Sequence, residues 1–500
     1  MSHLLPLLVI MILFIIVLTS QASAADFPFA CGGKVENEAW ELWDSNVKNF
    51  LKEKQLQNRL LKQGDVYALY DFQTYTHNLV GMARRCNRVE RLQEIARMID
   101  IAYSKLEPAA TGRQWVCRGG SICNDRNRLL NKEVQLDSLQ FLGLASSVAN
   151  ALVAAETQLT NADKVFVENT AQILIEHLLR WSDKASIASI DRAKKATPQD
   201  VKNGSSALFF TDKPLWMIHI YAELSSILVF SKALDIPQIP LAEKKQLTNH
   251  INELMQFFTA RLSIRHKEKS RLGDAVTLAD IDRGYWKLYA DNTYAGYEKA
   301  GKPVMCIYSG NNKSKFKINV VVPADRVLKL QNTSWDISHA RRLVHALDAL
   351  ERNRSNLSKT FNLKDNQLPP ADSAPAFANA LVSVVWNGDK AAPLFTNYWS
   401  GANGWYRVAY DNGTGLCREG YPPFGLTDSI PTGGYFVWAK YNPTVGVLGK
   451  QLYSLMNSAK ASDTLFVTKY YPSLSHSASV QNRALSKIMF LPSLVGVSIK

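Results

Sequence analysis

Trp335, His339 and Arg342 are spaced four and three residues apart, which places them on one face of a helix. Together they offer an aromatic platform, a titratable imidazole and a guanidinium within two turns. That set suits a cleft for an anionic, ring-shaped substrate. Tyr70, Gln73, His77, Gly81 and Arg84 repeat the theme at spacings of 3, 4, 4 and 3. Amides and guanidinium groups bind hydroxyls and carboxylates, and Asn78 adds one more amide beside His77. A structural reading of both faces stands alongside. Asp336 then caps a helix, His339 and Trp335 pack in the core, and the Tyr70 face is a polar network between helices.

Two further stretches are dense in Trp, Tyr, Asn, Asp and Gly. One runs from Asp282 to Tyr297 and includes Trp286, Asp291 and Tyr294. The other runs from Asn397 to Tyr435 and includes Trp399, Trp405, Arg407 and Tyr435. Aromatic rings stack on the apolar faces of sugars while polar groups bind their edges, so such loops suit a carbohydrate cleft. The same rings could instead form an extra core beneath long loops.

Two mechanisms fit these parts. A β-elimination on a uronate-containing glycan needs a carboxylate neutralised, the C5 proton removed and the leaving oxygen protonated. His77, Gln73 and Asn78, with Arg342 and either Tyr294 or Tyr435, supply those groups, and His339 is a second candidate imidazole. A glycoside hydrolase would need a carboxylate pair, drawn from Asp282, Asp291, Asp336, Asp411 and Glu419. The net charge of +14 favours an acidic substrate and hence the lyase. A non-catalytic glycan- or partner-binding protein is the third reading. No G-x-S-x-G elbow, P-loop or H-E-x-x-H motif is present.

The elements that must position these residues are mostly helical. Periodic apolar residues predict helices from Val35, over Asp65–Arg85, Arg88–Leu106, Leu136–Thr157, Ala162–Ser182, Pro214–Leu234 and Leu241–Leu262. Asp183–Ser205 is polar and reads as loop. The Trp335 helix is expected to begin at a Thr333/Asp336 capping pattern. Its stripe of Ala340, Leu343, Val344, Leu347 and Leu350 carries it to about residue 350. Residues Lys302–Tyr308 and Phe316–Val322 read as a β-hairpin about Gly310, Asn311 and Asn312, an insertion at about 300–323. Helices at Ala374–Trp386 and Val445–Ser458 follow, and residues 461–500 form a mixed extension.

The apolar run Leu4–Leu18 followed by Ala22, Ser23 and Ala24 reads as a signal peptide over residues 1–24. No second run of that kind follows, so no stable membrane insertion is expected once the leader is removed. The protein is therefore expected to be exported, to the periplasm or beyond. All six cysteines lie after that point, which suggests disulfides. The expected pairs are Cys31–Cys86, Cys117–Cys123 and Cys306–Cys417. Their spacing matches no zinc or redox motif, so neither metal nor cofactor is expected. Interleaved Arg and aromatic residues could bind single-stranded nucleic acid. Export argues against that, and the expected partner is an acidic polysaccharide or oligosaccharide.

Consecutive helices on short links imply antiparallel hairpins. By analogy at the level of the fold, a long exported series of them suits an α/α toroid, an incomplete barrel of helical hairpins with a groove at one end. In that organisation, over about residues 35–460, the chain resembles the α/α-toroid polysaccharide lyases such as those acting on alginate. Tyr75–Asn78 and Trp335–His339 carry the resemblance in residue type. The family usually places an Asn shortly before its catalytic His, whereas here Asn78 follows His77.

Overall fold

Most of the chain offers apolar residues at helical spacing, and most of it forms helix. The computed structural model describes residues 27–497, except 156–158, 203–205, 231–233, 237, 272, 312–314 and 412. The leader expected at 1–24 lies outside them. The chain opens with α1 (34–62), much of it wound in wide i to i+5 turns over Trp43–Val47 and Phe50–Lys62. There follow α2 (Tyr67–Arg85), α3 (Val89–Tyr103), α4 (Gln135–Val153) and α5 (Asn161–Trp181). A capping box between Thr160 and Asp163 starts α5.

The polar stretch after Ser182 is not a loop. It forms α6 (Lys184–Lys195), whose first turn is capped by the Asp183 side chain accepting from the Ser186 N–H. A short helix at Pro198–Lys202 follows it. Next come α7 (Asp212–Phe230) and α8 (Leu241–Arg261).

Four of these helices build a row with the helix that carries Arg342. That helix is α10 (Arg342–Phe361), preceded by the single turn α9 (Ile337–Ala340). In the row α2 packs on α4, α4 on α7 and α7 on α10. The cross-links between α7 and α10 advance along both helices together. Arg342 meets Asp212 at 3.5 Å, Arg352 meets Glu223 at 2.6 Å, and Asn356 donates to Ser226 at 3.3 Å. The two therefore run parallel, and the pairs from α2 to α4 and α4 to α7 step the same way. Helices α3, α5 and α8 are the returns, each packed against members of the row and against its neighbouring return.

Burial follows from this order. Every residue of α4 from Asp137 to Val153 is buried, as is nearly all of α7. Among the described residues, α4 is the one helix long and apolar enough to cross a membrane, and here it lies inside the fold.

Strands are few. A hairpin of β1 (Leu262–Lys269) and β2 (Ala275–Ile281) continues directly out of α8, where no strand was expected. The expected hairpin is present as β3 (Val304–Tyr308) and β4 (Phe316–Val320). Helix α11 (Ser373–Ala380) packs on β2, and α12 (Pro443–Met456) follows a loop-rich stretch. The last residues form α13 (Ala461–Tyr470) and α14 (Val480–Phe490), and α14 packs against α1 and α2. Three disulfides join Cys31 to Cys86, Cys117 to Cys123 and Cys306 to Cys417.

Candidate active site

The helix expected to start at Thr333 starts instead at Asp336. Its Oδ1 accepts from the backbone N–H groups of Ser338 and His339, each at 3.1 Å. Trp335 lies before the cap, so it does not share the helical face of His339 and Arg342. The other carboxylate oxygen, Oδ2, lies 2.7 Å from His339 Nδ1, and the Tyr406 hydroxyl lies 3.2 Å from the same nitrogen. Asp336 is wholly buried. Burial pushes its carboxyl up, but the His339 imidazole, the Ser338 hydroxyl and the charge of Arg407 outweigh this and hold it well below the usual carboxylate range. Asp336 thus fixes the imidazole by Nδ1. His339 Nε2 makes no hydrogen bond among the described residues, and the side chain keeps 11% of its exposure.

The chain then breaks. Helix α9 ends at Ala340, Arg341 lies in a turn, and α10 begins at Arg342. In an unbroken helix, consecutive side chains diverge by about 100°. Across this break both guanidinium groups reach one hydroxyl. Arg342 Nη2 donates to Tyr70 at 3.0 Å and Arg341 Nη2 at 3.3 Å. Burial pushes the Tyr70 phenol up, yet the two guanidinium groups outweigh it and hold the phenol below its ordinary value. Arg342 is further held by the Ser338 carbonyl at 2.6 Å and by Asp212. Arg341 Nη1 and Nε have no partner among the described residues.

The two aromatic loops close on this end of the row. Arg407, with a left-handed backbone (φ 51°), donates to Asp291 at 3.0 Å. Its guanidinium lies 4.5 Å from the Tyr410 ring and 5.2 Å from that of Tyr406. Charged and hydroxyl groups from α2, α7, α9, α10 and both loops therefore meet at the amino-terminal end of the row.

His77 belongs to a second cluster, deeper along the same helices. Its ring stacks on His345 with centroids 3.8 Å apart and planes 12° from parallel. Gln73 Nε2 lies 3.0 Å from His77 Nδ1, and Ser147 Oγ lies 3.3 Å from Nε2. Ser147 also meets His219 Nε2 at 3.0 Å and donates to Glu223 at 3.0 Å. Glu223 further accepts from Asn150, Asn353 and Arg352. Burial, then the neighbouring His345 and His219, push His77 well below its usual value, and burial with His219 takes His345 to about 3. This cluster is neutral at its imidazoles and saturated at its carboxylate.

The remaining expected residues are placed as follows. Asn78 is buried and donates to the Met489 carbonyl at 2.6 Å, and Arg84 pairs with Asp348 at 2.7 Å. Trp335 and Trp399 are core rings whose indole N–H groups donate to the Phe210 and Ala279 carbonyls. Trp286 is buried and stacks on Tyr289 with centroids 4.6 Å apart. Trp405 and Tyr294 form a small satellite core with Val327, bonded to the Lys299 and Val322 carbonyls. Tyr435 is buried with its hydroxyl on the Ile337 carbonyl. These six rings pack inside the protein, and none stands free on a loop. The site residues the sequence did not single out are Arg341, Tyr406 and Asp212. Only the helix break reveals the first, and the others depend on chain segments far apart in sequence.

Among the described residues, one set of metal-type ligands clusters closely, Cys31, Glu36 and Cys86, and its cysteines form a disulfide. Comparison with family models, with curated proteins and with solved structures finds no match.

Proposed function

We propose that the protein is an exported lyase that cleaves an acidic, uronate-containing glycan by β-elimination. The observation that carries this reading is the Tyr70 phenol held between the guanidinium groups of Arg341 and Arg342. A phenol with a lowered pKa is a better proton donor at neutral pH. In the proposed reaction the open donors of Arg341 engage the substrate carboxylate and stabilise the charge that builds on it as C5 loses its proton. His339 Nε2, aimed by Asp336, takes that proton. The C5–H electron pair forms the C4=C5 double bond, the C4–O4 bond breaks, and O4 takes the proton of Tyr70. On this reading the parallel row and its outer returns are an arc of an α/α toroid, and residues 1–24 are the export leader.

The hydrolase alternative finds less support. Asp282 pairs with Arg261, Asp291 with Arg407, Asp411 with Arg126, and Glu419 with Lys302, while Asp336 caps α9. Each of the five is thus already engaged by a cation or a helix cap.

The test is ultraviolet absorbance of unsaturated uronides after incubation with alginate, pectate and glycosaminoglycans. The expected result is a rise with at least one of them that Tyr70→Phe and His339→Ala abolish. Reducing ends without that absorbance would replace the lyase with a hydrolase.

A further inference from the structure

A cavity of about 250 Å³ lies between the carboxyl-terminal half of α2, the start of α10, residues near Val437 and the tail at Gly496. Neither Tyr70, Arg341, Arg342 nor His339 lines it. Its charges do not balance. Asp348 accepts from Arg84 at 2.7 Å, Arg352 at 2.9 Å and Lys440 at 3.2 Å. Arg352 also pairs with Glu223 at 2.6 Å, and Lys440 with Glu351 at 2.8 Å. The carboxylates of this network are Asp348, Glu223 and Glu351, while its cations are Arg84, Arg352, Lys440 and Arg85.

Arg85 is the cation left over. Its Nε and Nη2 donate to the Val495 and Pro492 carbonyls at 3.1 and 2.5 Å, and among the described residues no carboxylate lies within ion-pair distance. Burial and the adjacent Arg84 push its guanidinium down to about 10. Its Nη1 stands over Gly81, 3.3 Å from where a Cβ would be, and Gly81 lines the cavity. Two other groups there have unused hydrogen-bonding capacity. Arg84 Nη1 is buried without a partner, and the ring nitrogens of His345 make no hydrogen bond among the described residues. The rest of the wall includes Val344, Val437 and Val497.

We propose that this cavity is a second binding site, for a small ring-bearing carboxylate of the size and chemistry of one uronic acid, held by its carboxylate on Arg85. One unmatched positive charge fits a monoanion better than a phosphate ester, which carries about −1.5 to −2. The valine side chains suit the apolar face of a ring, and His345 suits its hydroxyls. The inference does not rest on the lyase reading.

Calorimetric titration of the full chain with sodium glucuronate tests it, with glucose and inorganic phosphate as comparison ligands. Saturable glucuronate binding is expected, weakened at least about tenfold by Val437→Phe, which fills the cavity, and by Arg85→Met. Arg85 also holds the tail, so if Arg85→Met fails to fold, Val437→Phe and the ligand comparison decide. The proposal is overturned if the full chain binds no glucuronate, if glucose or phosphate binds as tightly, or if Val437→Phe binds as the parent does.

Discussion

The two histidine clusters on one row of helices use similar residue types to opposite ends. At the amino-terminal end, where Tyr70, Asp336 and Arg342 meet, His339 and Arg341 keep unengaged nitrogens. About two turns deeper along α2, His77, His345, His219, Ser147 and Glu223 lie in the interior, with His77 and His345 on the wall of the cavity beside Arg85. Burial strips the imidazoles of charge, and the carboxylate accepts every donor around it. A catalytic group needs a titratable atom with unused capacity that a substrate can reach. Composition alone does not separate a site of that kind from a satisfied interior network.

The comparison breaks most visibly at Tyr70. Tyr70→Phe should lower the elimination rate by about 10²–10⁴-fold, the range for loss of a general acid, with KM little changed, whereas His77→Gln should act mainly through stability. Steady-state rates of both variants on the active glycan would reverse the assignment if His77→Gln were the slower enzyme with its melting temperature intact. The deep cluster should respond in stability instead. Glu223→Ala removes the buried acceptor shared by Ser147, Asn150, Asn353 and Arg352. A loss of about 3 kcal/mol is expected, as for a broken buried ion pair. Urea unfolding measures it, and a change under about 1 kcal/mol would put Glu223 among ordinary surface pairs.

The pH dependence sharpens the contrast. The buried imidazoles His177 and His345 are pushed to about 3, and His250 to about 4, mainly by burial. The unfolded chain protonates them near 6.5, so between about pH 6.5 and 4 it binds more protons than the folded one. Stability therefore falls as pH drops through that window, by about 1.4 kcal/mol per pH unit for each such histidine. Melting curves from pH 7 to pH 4 read the slope, and a flat profile would mean that the imidazoles are not sealed. The smallest expected effect is at Arg341. Arg341→Lys keeps the charge but loses the planar fork, so KM should rise about tenfold while kcat changes less. An unchanged KM would remove Arg341 from substrate binding.

The helices were legible because most carry one apolar stripe; the cysteine pairing was not, since six thiols allow 15 connectivities, although the expected pairs are the ones the fold joins. The misses have physical causes. Helix α6 is polar on most of its surface and was hidden by composition, though Asp183 is an ordinary cap. The β1–β2 hairpin follows α8 without a Gly or Pro to mark the change. The aromatic loops were legible as unusual but not as buried, because an indole whose N–H bonds to a distant carbonyl looks the same in sequence as one facing water. Ser147, His219 and Glu223 lie on helices buried all round, where no amphipathic pattern sets polar positions apart. At the site, spacing finds His339 and Arg342, but a cap at Thr333 puts Trp335 on their face and the actual cap at Asp336 takes it off.

The ends of the described chain are fastened to one another. The Gly496 N–H donates to the Phe29 carbonyl, Asn78 to Met489, Arg85 to Pro492 and Val495, and Lys487 pairs with Glu38. The helix that carries Tyr70 thus rests on a segment made more than 400 residues later. An early-emerging fragment therefore lacks the part of this helix's support that the last segment supplies.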